Sequence, residues 1–398
     1  MVPEGWKYAH ASTVCTTISV GVVVKPSDYY TTADCGVRAF RSANVREGFI
    51  NNSDWVYFSP EGHQTNKKSQ LEEGDVLIVR SGYPGTACVV TKEFVGTNAI
   101  DVVIARPNTL KILPEYLCAF TNSSMGKNQV LNLQGGMAQK HLNVSSYQVL
   151  NIKLPPIFEQ KKITKILSAW NQAITATERL ISNSQRQKKA LMASLLTGKK
   201  RLPTFDKQWI EFTFERIFKE RSETGYLNLP LLSITAEGGV INRKDVGRKD
   251  TSNADKSKYL RICKGDIGYN TMRMWQGVAG LSDLEGIVSP AYTVLTPQPE
   301  VDPLYAAYLF KLPTLVHVFY RRSQGMVSDT WNLKYSNFSR ICWSIPNIQE
   351  QKAITTVLST ADLEIENLQQ KLACLKQEKN ALMQQLLTGK RRVKVEAE

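Results

Sequence analysis

The sequence has no CxxC pair, no cluster of histidines and no long run of uncharged apolar residues. Its seven cysteines, Cys15, Cys35, Cys88, Cys118, Cys263, Cys342 and Cys374, stand singly. Scattered thiols in odd number suit a reducing compartment and argue against a disulfide framework or a zinc site. The four histidines, His10, His63, His141 and His317, are equally isolated, and no metal is expected. Without a long apolar stretch there is no spanning helix and no membrane partner. The opening "MVPEGWKYAHAS" lacks the basic-then-apolar order of a secretory signal. A cytoplasmic protein is expected.

Catalytic patterns are missing as well. Gly198-Lys199-Lys200 has the end of a phosphate loop, but that loop needs a glycine at position 193, which is alanine, and a strand before it. Glu159-Gln160-Lys161 has the shape of half a nuclease motif, yet the Pro-Asp half is absent and the glutamate suits a helix entry. The one Pro-Pro, Pro155-Pro156, leads into a helix and is not the loop with which adenine methyltransferases hold a flipped base. No residue is therefore assigned a catalytic role.

What is present is positive charge, unevenly spread. The net charge is +14, and residues 159–203 alone carry +8, against +2 for 1–158, +3 for 204–346 and +1 for 347–398. A basic run is usually a solvated helix face; here its surroundings favour a polyanionic partner. Those surroundings are an internal repeat. "ALMASLLTGKKR" at 190–201 returns as "ALMQQLLTGKRR" at 381–392, and 18 of 43 positions agree between 159–201 and 350–392. Gly74-Asp75-Val76 returns as Gly265-Asp266-Ile267 at the same offset of 191. Two copies of this size suggest pseudo-two-fold symmetry, not a solenoid.

A 4-3 apolar spacing runs through both repeats. The first seam includes Ile163, Leu167, Ile174, Leu191 and Leu195; the second includes Ile354, Leu358, Ile365, Leu372, Leu382 and Leu386. This is the rhythm of a coiled coil over five heptads. Thr177, Ser184 and Lys188 interrupt the first seam, and Lys379 matches Lys188. Each helix is expected to open after proline (Pro156, Pro346) and to stop at glycine (Gly198, Gly389). Between the helices lie divergent α/β stretches, with short strands predicted in "DVLIVRSG", "TACVVT", "AIDVVIARP", "GVINR" and "AYTVLTP". "LPEYLCAFTNS" and "DPLYAAYLFKL" read as matching helices.

Two divergent domains alternating with two similar helices, each opening Glu-Gln-Lys and ending Leu-Leu-Thr-Gly-Lys, strongly resemble the specificity subunit of type I restriction-modification systems. The resemblance covers essentially the whole chain. It implies an α/β (α+β) target-recognition domain at 1–155, a spacer and docking helix at 156–201, a second recognition domain at 202–346, a second helix at 347–392 and a tail at 393–398. The helices would pair as an antiparallel intramolecular coiled coil with pseudo-two-fold symmetry. The chain would be no enzyme by itself. It would read a bipartite site on double-stranded DNA for two modification (methyltransferase) subunits, which restriction (translocase and nuclease) subunits join. S-adenosylmethionine, ATP and magnesium are expected on those partners, and no cofactor on this chain. An unrecognised methyltransferase or nuclease, and a coiled-coil scaffold, are the other readings; a scaffold leaves two large divergent domains unexplained.

Base contacts are expected in loops at matching positions that mix arginine, amides and aromatic groups, because arginine reads guanine and amides read adenine. In the first domain these are Arg80, Ser81 and Tyr83, then Gln139, Lys140 and His141. In the second they are Arg273 and Trp275, then Arg321, Arg322, Asp329, Thr330 and Trp331. Arg38, Arg41 and Arg46 form a weaker set.

Overall fold

The computed structural model describes residues 2–133, 141–236, 238–247, 255–326 and 330–393. Two long helices dominate, Ile157–Leu195 and Ile348–Leu386, each of 39 residues. The second starts where the Asn347 carboxamide oxygen accepts from the amides of Gln349 and Glu350, satisfying donors the first turn cannot use. Both stop as expected at glycines in the left-handed region, Gly198 (φ 69°) and Gly389 (φ 74°), where any other residue is strained. No helix is long and apolar enough to cross a membrane among the described residues.

The chain divides into two compact units, Met1–Arg179 with Gln370–Glu398, and Leu180–Gln369. Each long helix thus begins in one unit and ends in the other.

In the first unit, Cys15–Val20, Val102–Pro107, Val76–Val79 and Ala87–Val89 form an antiparallel sheet in that spatial order. Strand Lys7–His10 pairs antiparallel with Asn151–Leu154, tying the start of the domain to the entry of the first long helix. A second sheet, built from Tyr30–Thr31, Val37–Phe40, Val56–Phe58 and Asn98–Ala99, belongs to this unit. The main core joins Val76, Ile78, Tyr116, Phe120 and Tyr147 to Ile163, Leu167, Met383 and Leu386 of the helices and to Leu387 just beyond the second.

The second unit repeats the plan. Phe218–Arg221, Tyr292–Pro297, Ile267–Asn270 and Ala279–Leu281 form the antiparallel sheet, and Ile210–Thr213 pairs with Cys342–Ile345. The hairpin Leu232–Thr235 with Gly239–Asn242, and the antiparallel pair Leu260–Ile262 with Gly286–Val288, replace the second sheet. The core gathers Phe214, Phe218, Phe310, Phe319 and Phe338 around Leu195, Ile354 and Leu358 of the helices and Leu196 just beyond the first. The predicted strands and both short helices, Pro114–Asn122 and Pro303–Leu309, are present.

The repeated Gly-Asp pairs are structural. Asp75 and Asp266 are buried, and each carboxylate is held by an arginine of the same sheet, Arg106 from the adjacent strand and Arg221 from the strand beyond it. Arg106 donates to Asp75 at 2.8 and 2.9 Å, and Arg221 donates to Asp266 at 2.7 and 3.3 Å. A buried carboxylate is tolerable only when paired and hydrogen-bonded in this way.

Within each unit the helix segments run antiparallel. In the first, Glu178 pairs with Lys376 at 2.8 Å while Glu159 pairs with Arg392. In the second, Lys188 pairs with Asp362, Ser184 donates to Glu364 at 3.3 Å, and Arg201 pairs with Glu350 at 2.5 Å. The seam is less evenly buried than a strict heptad predicts. Ile163, Leu167, Leu195, Ile354, Leu358, Ile365 and Leu386 are buried, but Ile174, Leu191, Leu372 and Leu382 are only half-buried. Ile163, Leu167, Leu195, Ile354, Leu358 and Leu386 sit inside a domain core and Leu191 and Leu382 lie at its edge, whereas Ile174 and Leu372 belong to no domain core among the described residues. The unpredicted Leu196, Met383 and Leu387 are buried for the same reason.

Candidate nucleic-acid interface

The loop after Val76–Val79 in the first unit is fastened to the segment at 141–142. The Leu142 amide donates to the Arg80 carbonyl at 3.1 Å, and the Arg80 guanidinium returns a bond to the Leu142 carbonyl at 2.9 Å. The second unit makes the matching backbone bond at an offset of 191: Leu333 donates to the Thr271 carbonyl at 2.8 Å. In both units the two loop positions singled out in the sequence therefore come together.

Their chemistry differs. Arg80 is spent internally, since it also pairs with Asp101 at 2.5 Å and its side chain is only 14% exposed. Ser81 and the His141 ring meet at 2.5 Å. Tyr83 stands free at 82% exposure, a large side chain with nothing folded over it. Gln139 and Lys140 lie outside the described residues.

The second unit presents an aromatic and basic surface. Trp275 packs edge-on against Trp331 at 5.1 Å, and Trp331 against Tyr320 at 4.9 Å. The Trp275 indole donates to the Met272 carbonyl at 3.0 Å, which fixes its ring. Arg273, Arg321, Arg322 and Thr330 are exposed around this cluster. Among the described residues no acid pairs with any of the three arginines. Asp329 lies outside the described residues. Tyr320 was missed in the sequence; the available signal was its place directly before Arg321-Arg322, one residue short of the basic pair that drew attention. In the weaker set, Arg41 donates to the Asp54 carbonyl, Arg46 to the Ser42 and Val45 carbonyls, and Arg38 lies over the Trp55 ring at 5.6 Å. All three have local structural work.

The ends of the helices carry a second repeated site. Glu159 and Glu350 are buried, and each receives an arginine from just beyond the end of the other helix. Arg201 grips Glu350 through two bonds of 2.5 and 2.7 Å, and Arg392 grips Glu159 likewise. Beside them Gln160 and Gln351 act as brackets. Gln160 accepts from the Leu113 amide at 2.8 Å and donates to the Pro155 and Lys111 carbonyls. Gln351 accepts from the Asp302 amide at 2.8 Å and donates to the Pro346 and Glu300 carbonyls. The recurring Glu-Gln is thus a joint between helix and domain. No group of three or more acids, histidines or cysteines could hold a metal among the described residues.

With this geometry established, comparison with known proteins gives a consistent class. The model of the type I restriction modification DNA specificity domain matches residues 42–183. The type I restriction enzyme EcoKI specificity subunit of Escherichia coli is 25% identical over 307 residues, covering 70% of this chain and 65% of that one. The chain therefore spans just under two thirds of that relative. The putative type I restriction enzyme MjaX specificity subunit of Methanocaldococcus jannaschii is 24% identical over 429 residues, covering 99% of this chain and 95% of that one. Among solved structures, the HsdS subunit from Thermoanaerobacter tengcongensis superposes with a TM-score of 0.53 at 15% identity, over 98% of both chains. A chain from a structure describing complex assembly and conformational transition of the type I R-M system gives 0.61 at 16% identity, over 98% of this chain and 100% of that one.

The chain carries the DNA specificity domain of type I restriction-modification systems. Along its whole length it has the α+β fold of their specificity subunits, with paired long helices. The relatives it matches over most of its length are named specificity subunits of type I restriction enzymes.

Proposed function

We propose that this chain reads a split, asymmetric DNA site, one half with each unit, and that its helices set the unread gap between the halves. The observation that supports this reading is the repeated loop-to-loop bond, Leu142 to Arg80 and Leu333 to Thr271, carrying different side chains in the two units. The scaffold repeats while the chemistry on it does not, as two readers of different sequences require. In the second unit Arg273, Arg321, Arg322, Thr330 and Trp331 would meet DNA, with Trp275 and Tyr320 as a firm apolar base. In the first, Tyr83, Ser81 and His141 would do so beside Gln139 and Lys140, with Arg80 holding the loops. Exposed Lys161, Lys165, Lys189 and Lys199 on and after the first helix would meet phosphates of the gap.

The partners in this reading are double-stranded DNA, two modification subunits docked on the helices, and restriction subunits. S-adenosylmethionine, ATP and magnesium would be bound by those subunits, in the cytoplasm. The decisive experiment maps methylated adenines in cells carrying this chain with its modification partner. Exchanging residues 1–155 for those of a relative is expected to change one half of the site only; a change in both halves refutes independent readers. Inserting one heptad into each seam adds roughly 10 Å at ~1.5 Å per residue, the rise of about three base pairs. The half-sites should stay and the gap widen; an unchanged gap removes the ruler.

A further inference from the structure

The first unit contains a cavity at Lys379, where the internal repeat gives the second unit a packed cluster of Lys188, Tyr308 and Asp362. Its volume is about 390 Å³, within the range of small-molecule sites. Phe49, Val89, Cys118 and Met383 give it an apolar wall, and Asn171 and Lys379 give it polar groups.

The internal repeat says what is missing there. At the offset of 191, Lys379 corresponds to Lys188 and Asn171 to Asp362. The brackets Gln160–Leu113 and Gln351–Asp302 set the short helices in register at 189, so Ala119 corresponds to Tyr308. In the second unit Lys188 pairs with Asp362, the Tyr308 hydroxyl donates to that same carboxylate at 2.7 Å, and the ammonium lies 5.3 Å from the Tyr308 ring centre. In the first unit the carboxylate has become a carboxamide and the phenol a methyl group. Lys379 keeps its place and loses both partners.

Nothing nearby replaces them. Glu47 is already paired with Lys127 at 2.7 Å, and Glu115 lies exposed at the rim. Among the described residues no carboxylate forms an ion pair with Lys379. Burial holds its pKa below the ordinary lysine value, with Glu47 and Cys118 opposing that shift and Lys127 and Lys376 adding to it. A half-buried ammonium in an apolar wall gains from an anion brought with its own apolar body.

We propose that this cavity binds a small organic monocarboxylate. The carboxylate sits against Lys379 and the Asn171 amide, as Asp362 sits against Lys188, and the apolar part fills the space that Tyr308 takes in the second unit. The ligand thereby ties the helix segment 370–386 to the first domain.

The test uses the full chain, with calorimetry and thermal unfolding against octanoate, benzoate and phenylpropionate at millimolar concentration, each compared with its primary amide. At least one carboxylate should bind saturably and raise Tm, and its amide should not. Lys379→Met should abolish binding. Because that change also alters packing, the double variant Ala119→Tyr with Asn171→Asp provides an independent check. It installs the second unit's arrangement, should unfold at or above the wild-type Tm, and should bind roughly tenfold or more weakly. Failure of all three acids to bind, equal binding of acid and amide, or undiminished affinity in the double variant overturns the proposal.

Discussion

At the helix ends the two units close on the same ion pair with different support. Among the described residues the Glu350 carboxylate has Arg201 alone, through two bonds, and the neighbouring Trp209 indole makes no hydrogen bond to it. Glu159 has Arg392 and also the Trp6 indole, which donates at 3.2 Å. The main four-stranded sheet, the strand pair at the helix entry, the Gly-Asp anchors and the glutamine brackets are shared, while the second sheet, the loops singled out above and the space around the seam lysine are not. What was kept through duplication is whatever closes a domain on its helices. What diverged includes the loops proposed to read DNA and the space proposed to hold a carboxylate.

The largest expected effect tests that closure. Arg201→Ala leaves a buried carboxylate with no cation and should cost the second unit about 3–5 kcal/mol. Arg392→Ala should cost the first unit less, because Trp6 still donates to Glu159. Urea unfolding of each variant measures this, and equal losses would mean that the indole contributes nothing. Next in size is the seam. Ile354→Ala, fully buried against a domain, should cost about 2–5 kcal/mol. Leu372→Ala should cost roughly 1 kcal/mol, in proportion to its smaller buried area. Equal changes would show that the middle of the helix pair is as tightly covered as its ends.

Smaller effects are expected on DNA. In the assembled complex, Arg321→Ala and Arg322→Ala should each weaken binding by about 1–3 kcal/mol if they read bases. If they meet phosphate, each should lower the salt slope by about 1. Tyr83→Ala should change affinity by less than either, since the first unit offers contact area there without an unpaired charge. Arg80→Ala should act differently: it should lower the stability of the first unit, because Asp101 and the Leu142 carbonyl lose their donor. A Tm unchanged by Arg80→Ala, together with altered half-site preference, would return that arginine to base reading.

Much of this frame was legible in the sequence because it rests on local chemistry. The 4-3 spacing marked both helices, Gly198 and Gly389 lie three residues past their ends, and the offset of 191 matched Asp75 with Asp266 and the loop pairs with each other. Long-range partners were not legible. Nothing in "TGKKR" shows that Arg201 crosses to Glu350, and nothing in "VRSGY" shows that Asp101 takes up Arg80. Those pairings depend on where separate elements meet in space. The even burial expected for Leu372 failed for a related reason: a heptad records which side a residue faces, not how many neighbours wait there.

One consequence of the helix-end joint concerns where the chain is cut. In the second unit the segment from Gly198 to Trp209 is continuous, with Gly198 against the Trp209 ring and Arg201 bonded to the Lys207 carbonyl at 2.9 Å. In the first unit the same joint is made across the two termini: Gly389 lies against Pro3 and Trp6, and Arg392 donates to the Glu4 carbonyl at 3.0 Å. Pro3, Glu4 and Trp6 thus lie beside Gly389 and Arg392 in the first unit as Lys207 and Trp209 lie beside Gly198 and Arg201 in the second. A chain linked from 393 to 3 and opened between 202 and 208 would carry every contact described above, in a new order of synthesis.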